Sequence, residues 1–106
     1  MEIEVFVRGV DDTAGLRNMA RERLESALQR FESHVRRATV RLEDETGPNQ
    51  HKNDKVCFIE LQLGGGDVRI REVGDDFSAV IDVALDRMRA SLSRQVSRDK
   101  RGIGEG

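Results

Sequence analysis

The stretch that decides the fold runs from Asp76 to Arg101 and reads DFSAVIDVALDRMRASLSRQVSRDKR. Its large apolar residues recur at three- and four-residue steps, which predicts a single apolar stripe along one helix. The members of this stripe are Phe77, Ile81, Leu85, Met88 and Leu92. We therefore expect a helix that is capped by Asp75-Asp76, packs on a core through this stripe and ends near residues 98–100.

Four arginines of the same stretch form a second stripe, roughly 120° around the helix from the first. They are Arg87, Arg94, Arg98 and Arg101. Guanidinium groups match phosphate oxygens bidentately, so a row of them on a rigid helix favours contact with a phosphate backbone. The same row is also typical of a solvated helix face, and the spacing alone leaves both interpretations open.

The distribution of charge favours an oriented contact over general nucleic-acid binding. The chain has a formal net charge of -2, yet residues 87–101 hold six Lys or Arg against one acid, Asp99. A local positive cluster on an acidic body presents one surface to an anionic partner. Trp and Tyr are absent and only four Phe are present. If the protein contacts RNA, we therefore expect contact through the RNA backbone and shape, since stacking on single-stranded bases usually needs exposed aromatics.

The rest of the chain predicts four strands and one more helix. Apolar and polar residues alternate in four short segments, which is typical of strands with one buried face. These segments are residues 1–8, 38–43, 57–63 and 68–71. Gly64-Gly65-Gly66 predicts a hairpin turn with positive φ, and residues 45–54 form a polar loop.

An amphipathic helix is predicted between the first two strands, with Asp12 or Thr13 as its N-cap. Its apolar period continues for about five turns of helix, to Val35. Three arginines at seven-residue spacing would form a second basic row beside this stripe, with solvation again as the alternative. They are Arg23, Arg30 and Arg37.

The predicted order of elements is β-α-β-β-β-α, an α+β fold. Each strand has one apolar face and each helix one apolar stripe, so both helices should pack on one face of a four-stranded sheet and leave the other face wet. We expect one domain over residues 1–101. Residues 102–106 form a Gly-rich tail that we expect to be disordered without a partner.

Several functional classes find no support in the sequence. A single cysteine excludes an internal disulfide and suits a reducing compartment, and without a signal peptide or long apolar run we expect a cytoplasmic protein. Cys57 falls on the inward side of its strand, as a small buried apolar residue does. His34 and His51 have no companion at metal-ligand spacing, and the triple glycine lacks the Lys-Ser/Thr of a phosphate loop. We expect no enzyme, no cofactor and no small-molecule substrate.

The order of elements and several short motifs in the two predicted helices resemble the family of ribosome hibernation-promoting factors. This family includes ribosome-associated inhibitor A and is also called sigma-54 modulation proteins. Asp76-Phe77-Ser78-Ala79-Val80-Ile81-Asp82 resembles the family's Asp-Met-Tyr-Ala-Ala-Ile-Asp helix start. Asp86-Arg87-Met88 and Leu92-x-Arg94 follow at the family's spacing, and the Asp-Thr-x-x-Leu-Arg opening of the first helix is similar too. The resemblance covers roughly residues 2–100.

This resemblance implies a double-stranded-RNA-binding-like fold and a factor that silences ribosomes under stress. Such a factor binds the small ribosomal subunit in the channel used by messenger and transfer RNA. By position, Arg23, Arg87 and Arg94 correspond to basic residues of the family. We expect a short-form member, without the C-terminal domain of the family's long form. From the resemblance and the two stripes together, we expect ribosomal RNA to be contacted by Arg23, Arg30, Arg87, Arg94, Arg98, Lys100 and Arg101.

Two other functions stay open at this point. The chain could be a protein-interaction module of the same fold that does not bind ribosomes and uses loop 45–54 or the wet sheet face. The last helix could also lie on an anionic membrane, although its apolar stripe is needed for the core. The sequence leaves the oligomeric state undetermined.

Overall fold

A computed structural model of the chain describes residues 1–11, 13–45 and 55–105, with side chains described as far as Arg98. The helices and strands follow the predicted order β-α-β-β-β-α, which confirms the α+β fold. They are β1 (Glu2–Arg8), α1 (Thr13–Leu28), a 3-10 segment (Gln29–His34), β2 (Val35–Asp44), β3 (Lys55–Leu63), β4 (Asp67–Gly74) and α2 (Phe77–Glu105).

The four strands form one mixed sheet in the order β1-β2-β3-β4. β1 pairs with β2 in parallel, with Val5 opposite Val40, whereas β2–β3 and β3–β4 are antiparallel. β1 and β4 therefore point the same way, and each is followed by a short connection and a helix that returns across the sheet. As a result, α1 and α2 run in the same direction and finish over the same end of the sheet.

The core lies between the two helices and one face of the sheet. In α2 the predicted stripe is confirmed, because Ile81, Leu85, Met88 and Leu92 are buried and Phe77 is partly buried against the same cluster. The sheet supplies alternate residues of every strand, as strand geometry requires. These are Val5, Ala38, Val40, Leu42, Cys57, Ile59, Leu61, Leu63, Val68 and Ile70.

Two local predictions about turns and caps are confirmed. Asp76 caps α2, since its Oδ2 accepts a hydrogen bond of 2.9 Å from the backbone N–H of Ala79. The β3–β4 hairpin closes with a hydrogen bond of 3.0 Å from Leu63 N to Gly66 O, and Gly66 has a φ of 150°. Only glycine adopts this backbone conformation without strain.

The end of the first helix differs from its prediction. α1 ends at Leu28 and a 3-10 segment follows, so β2 already begins at Val35. The proposed helical row of Arg23, Arg30 and Arg37 is therefore wrong, because Arg37 lies on β2, opposite Glu2 of β1. Phe31 and Val35 are buried as their spacing predicts, but a tighter turn and a strand, not a helix, place them in the core.

Two further predictions concern the ends of elements. α2 continues to Glu105, beyond the predicted end at residues 98–100. The prediction that residues 102–106 need a partner to become ordered stays a prediction, as does the single domain over residues 1–101. Most of loop 45–54 lies outside the described residues, and so does Asp12, one of the two predicted N-caps of α1.

Candidate nucleic-acid interface

The arginines predicted to contact RNA divide into two groups in the structure. Arg23 and Arg87 each form an ion pair with a carboxylate. Arg30, Arg94 and Arg98 have no carboxylate within 4 Å among the described residues. Lys100 and Arg101 lie on the last turns of α2, where side chains are outside the described part of the chain. Whether a guanidinium is already neutralised decides how much net charge it offers to a phosphate.

Arg23 connects the two helices. Its Nη1 donates hydrogen bonds of 3.1 Å to the backbone carbonyl of Ser78 and of 3.1 Å to Oδ1 of Asp82, both on the first turns of α2. About a third of the Arg23 side chain is exposed, compared with 65% for Asp82. These contacts fix the spacing of α1 and α2, and a phosphate would have to compete with Asp82 for this guanidinium.

Arg87 is held against the edge of the sheet. It forms a short ion pair with Glu72 of β4 and donates a hydrogen bond of 3.1 Å to the backbone carbonyl of Arg71. Two residues farther along α2, Arg89 forms an ion pair with Asp86 of the same helix. A phosphate at Arg87 would also approach Glu72, and the repulsion between these two anions opposes such a contact.

Arg30, Arg94 and Arg98 are the exposed members of the predicted set whose charge is not balanced by a described carboxylate. Arg30 lies over the ring of Phe31, with its Cζ 5.4 Å from the ring centroid. Arg94 donates a weak hydrogen bond of 3.3 Å to Ser91 Oγ. A guanidinium in this state can bind a phosphate without breaking an existing ion pair.

These three side chains lie toward the same end of the molecule. The 3-10 segment with Arg30 follows the end of α1, and α2 passes the β3–β4 turn at Gln95. A Cβ built on Gly66 would lie 3.6 Å from Gln95 Nε2, which shows how closely this turn approaches the helix. The 29 residues of α2 span roughly 44 Å at 1.5 Å per residue, so the helix extends past the sheet from the region of Arg94 and Arg98.

The open face of the sheet carries a feature that was missed at the sequence level. One lateral row across the four strands consists of Phe6, Arg41, Phe58 and Arg71. Phe6 is 47% exposed, and the Cζ of Arg71 lies 5.6 Å from the centroid of the Phe58 ring. The outward position of both Phe residues could be inferred from strand alternation, but their alignment depends on the register.

Cys57 has no chemical role in this interface. It is fully buried, and burial together with the nearby charge of Glu72 raises the pKa of its thiol to about 12. The thiolate, which is the reactive form, is thus negligible at neutral pH. Among the described residues no group of three or more His, Cys, Asp or Glu could hold a metal ion. No helix in the described part is long and apolar enough to cross a membrane.

The family model described as sigma 54 modulation protein / S30EA ribosomal protein matches residues 3–100. The chain belongs to this family. The family is ribosome-associated and non-enzymatic, which confirms both the resemblance and the expectation that this protein is not an enzyme. No curated relative matches the chain in sequence.

Solved structures show the same fold. A ribosomal subunit interface protein from Coxiella burnetii superposes with a TM-score of 0.74 at 18% identity, covering 92% of this chain and 99% of that one. The N-terminal domain of Thermus thermophilus Protein Y superposes with a TM-score of 0.68 at 27% identity, covering 89% of this chain and 98% of that domain.

Proposed function

We propose that this protein is a cytosolic factor that binds the small ribosomal subunit and inhibits translation by occupying the channel for messenger and transfer RNA. The observation that carries this proposal is the family match over residues 3–100, which includes both helices and all four strands. The similarity to a ribosomal subunit interface protein and to Protein Y supports it.

Arg30, Arg94 and Arg98 are the groups that we propose for the contact with ribosomal RNA, together with Lys100 and Arg101 farther along α2. The first three are exposed and have no carboxylate partner among the described residues, so they carry net positive charge at one end of an otherwise acidic chain. Phosphate contacts of this kind position a protein without reading sequence, and shape supplies the specificity on folded RNA.

Arg23 and Arg87 have a different role in this proposal. Arg23 holds α1 against α2, and Arg87 holds β4 against α2. Both contacts therefore help to fix the direction in which the end of α2 projects. Their ion pairs lie near the surface and are worth about 0–1 kcal/mol each. They contribute to RNA binding through this positioning and only weakly through their own charge.

Co-sedimentation with small ribosomal subunits at increasing salt tests the proposal. Wild-type protein is expected to bind at low salt and to dissociate steeply, since each phosphate contact contributes about 0.7–0.9 to the slope of log affinity against log salt. The double variant Arg94→Gln/Arg98→Gln should lower this slope by about 1.4–1.8 and weaken binding.

A matched control lies on the same helix. Arg87→Gln/Arg89→Gln removes the same two charges, but both arginines are already paired with carboxylates, so the slope should change by less than half as much. Absence of co-sedimentation at low salt would rule out the ribosomal function. Recovery of a protein partner without ribosomal RNA would instead support an interaction module of this fold. Equal slopes for the two double variants would refute the assignment of Arg94 and Arg98.

A further inference from the structure

The open face of the sheet combines aromatic rings with guanidinium groups that no described carboxylate neutralises. Across the strands, Phe6 faces Arg41, Arg41 faces Phe58, and Phe58 faces Arg71. At about 4.8 Å between neighbouring strands, the row spans roughly 14 Å. It therefore presents four planar groups in succession on the side of the molecule opposite the helices.

The neighbouring rows of the same face are chemically different. Arg37 pairs with Glu2 and Glu4 at 2.9 and 3.7 Å, and Arg69 pairs with Glu60 and Asp67 at 2.9 and 3.4 Å. The bonded carboxylates raise the pKa of both guanidinium groups. Among the described residues, Arg41 and Arg71 have no such partner. The unbalanced positive charge of this part of the sheet is therefore placed beside the two Phe rings.

The surface around the row is concave on both sides of Arg41. A cavity of about 260 Å³ lies over β2, β3 and β4 and is lined by Arg41, Phe58 and Arg71 together with Thr39, Glu60 and Arg69. A second cavity of about 470 Å³ lies on the β1 side of the sheet and is lined by Phe6, Val7, Arg8, Arg41 and Glu43 together with Arg17 of α1. Each cavity thus has one aromatic ring, at least two arginines and one glutamate in its lining.

We propose that this face binds single-stranded RNA, with unstacked bases lying on Phe6 and Phe58 and with Arg41 and Arg71 contacting bases or phosphates. Aromatic rings and guanidinium planes both stack on bases, and the positive charge of arginine complements the backbone. Double-stranded RNA does not fit, because its bases are already stacked and paired. This site is independent of the proposed ribosomal contact, since it lies on the other face of the sheet and uses none of the same residues.

Fluorine NMR of protein labelled with 4-fluorophenylalanine locates the site directly. The chain has four Phe, at positions 6, 31, 58 and 77, so four resonances are expected, each assigned by its Phe→Leu variant. Titration with the uridine octamer U8 should shift the signals of Phe6 and Phe58 in a saturable manner. The signals of Phe31, which is buried, and Phe77, at the start of α2, should not move.

Affinity measurements by fluorescence polarisation test whether bases are recognised. U8 should bind more tightly than an abasic octamer with the same number of phosphates. Stacking on one aromatic ring is worth about 5- to 150-fold in affinity, so Phe6→Leu and Phe58→Leu should each weaken U8 by a factor in this range. Phe77→Leu, the same chemical change on the other side of the sheet, should leave U8 affinity within twofold, with far-UV circular dichroism confirming the fold of each variant.

Several results would overturn this proposal. Equal affinity for U8 and the abasic octamer would show that only phosphates are bound. Shifts at Phe31 or Phe77 in place of Phe6 and Phe58 would place the RNA elsewhere. Broadening of the Phe6 and Phe58 signals with protein concentration alone, accompanied by dimers in sedimentation, would make this face a contact between copies. Failure of U8 binding with ribosome co-sedimentation intact would refute the sheet site and leave the proposed function standing.

Discussion

Gly74 occupies a position where one added methyl group should destabilise the protein. It is the last residue of β4, and a Cβ built on it would lie 2.6 Å from Cγ2 of Val80 on the first turns of α2. Favourable carbon–carbon contacts lie at about 3.5–4.0 Å, so the gap is too short by about 1 Å. Val80 is only 5% exposed, and its β-branched side chain has one strongly preferred rotamer in a helix.

The expected change in unfolding free energy follows from two opposing effects. Overpacking a core typically costs about 1–3 kcal/mol. Replacing glycine by alanine also restricts the unfolded chain, which stabilises by about 0.4–1 kcal/mol where the backbone is compatible. Gly74→Ala should therefore lower the free energy of unfolding by about 1–2 kcal/mol. Urea unfolding followed by far-UV circular dichroism is the suitable assay, because the chain has no Trp or Tyr.

A double-mutant cycle isolates the contact between Gly74 and Val80. Val80→Ala alone should cost about 2 kcal/mol, since it removes a buried side chain. In Gly74→Ala/Val80→Ala the new methyl group occupies space that Val80 has left, so the double variant should be about 1–2 kcal/mol more stable than additivity predicts. Effects that add within about 0.5 kcal/mol, or a stabilising Gly74→Ala, would refute the reasoning.

Three further outcomes are expected. Gly9→Ala should cost more than about 2 kcal/mol in urea unfolding, because φ is +78° and the Cβ would lie 2.7 Å from the backbone oxygen of Asp44; a loss below 0.5 kcal/mol would contradict this. By the same assay, Leu92→Ala should lower the free energy of unfolding by about 2–5 kcal/mol. Val83 is 48% exposed, so Val83→Ala should lower it by less than about 0.5 kcal/mol. Equal losses for the two variants would disprove the packing described for α2. Because burial raises the pKa of Cys57 from 9.0 to about 12, its contribution to stability is complete below pH 9 and is lost as the pH rises toward 12. Above pH 9, the free energy of unfolding of the wild type should therefore fall by up to about 1.4 kcal/mol per pH unit relative to that of Cys57→Ala. Parallel curves of unfolding free energy against pH for the two proteins would exclude the effect.

Periodicity predicted which residues are buried more reliably than which backbone carries them. The strand alternation and the α2 stripe both gave the correct buried faces, since a period of two or of 3.6 is imposed by the backbone itself. At the end of α1 the same argument failed. Phe31 and Val35 continue a four-residue apolar spacing, and this spacing is satisfied equally by a 3-10 turn that leads into a strand.

Whether each arginine is paired with a carboxylate could not be predicted from the spacing of the arginines. Arg23 meets Asp82 across 59 residues of sequence and Arg87 meets Glu72 across 15, so these pairs exist only because the helices and β4 pack together. Arg94 shares its helix and its stripe with Arg87 but pairs with no carboxylate among the residues that the structure describes. A charge pattern read along one helix therefore identifies exposed cations, whereas their electrostatic balance depends on the tertiary structure.

Among the described strands, the order of the sheet also leaves two backbone edges, on β1 and on β4, without a hydrogen-bonding neighbour. Such edges can recruit further strands and begin the growth of fibrils. Both edge strands here carry charged side chains at three of their four outward positions, which makes the pairing of another strand electrostatically unfavourable. These residues are Glu2, Glu4 and Arg8 on β1, and Asp67, Arg69 and Arg71 on β4. In the described part of the chain, these charged residues thus protect both edges of the sheet against self-association.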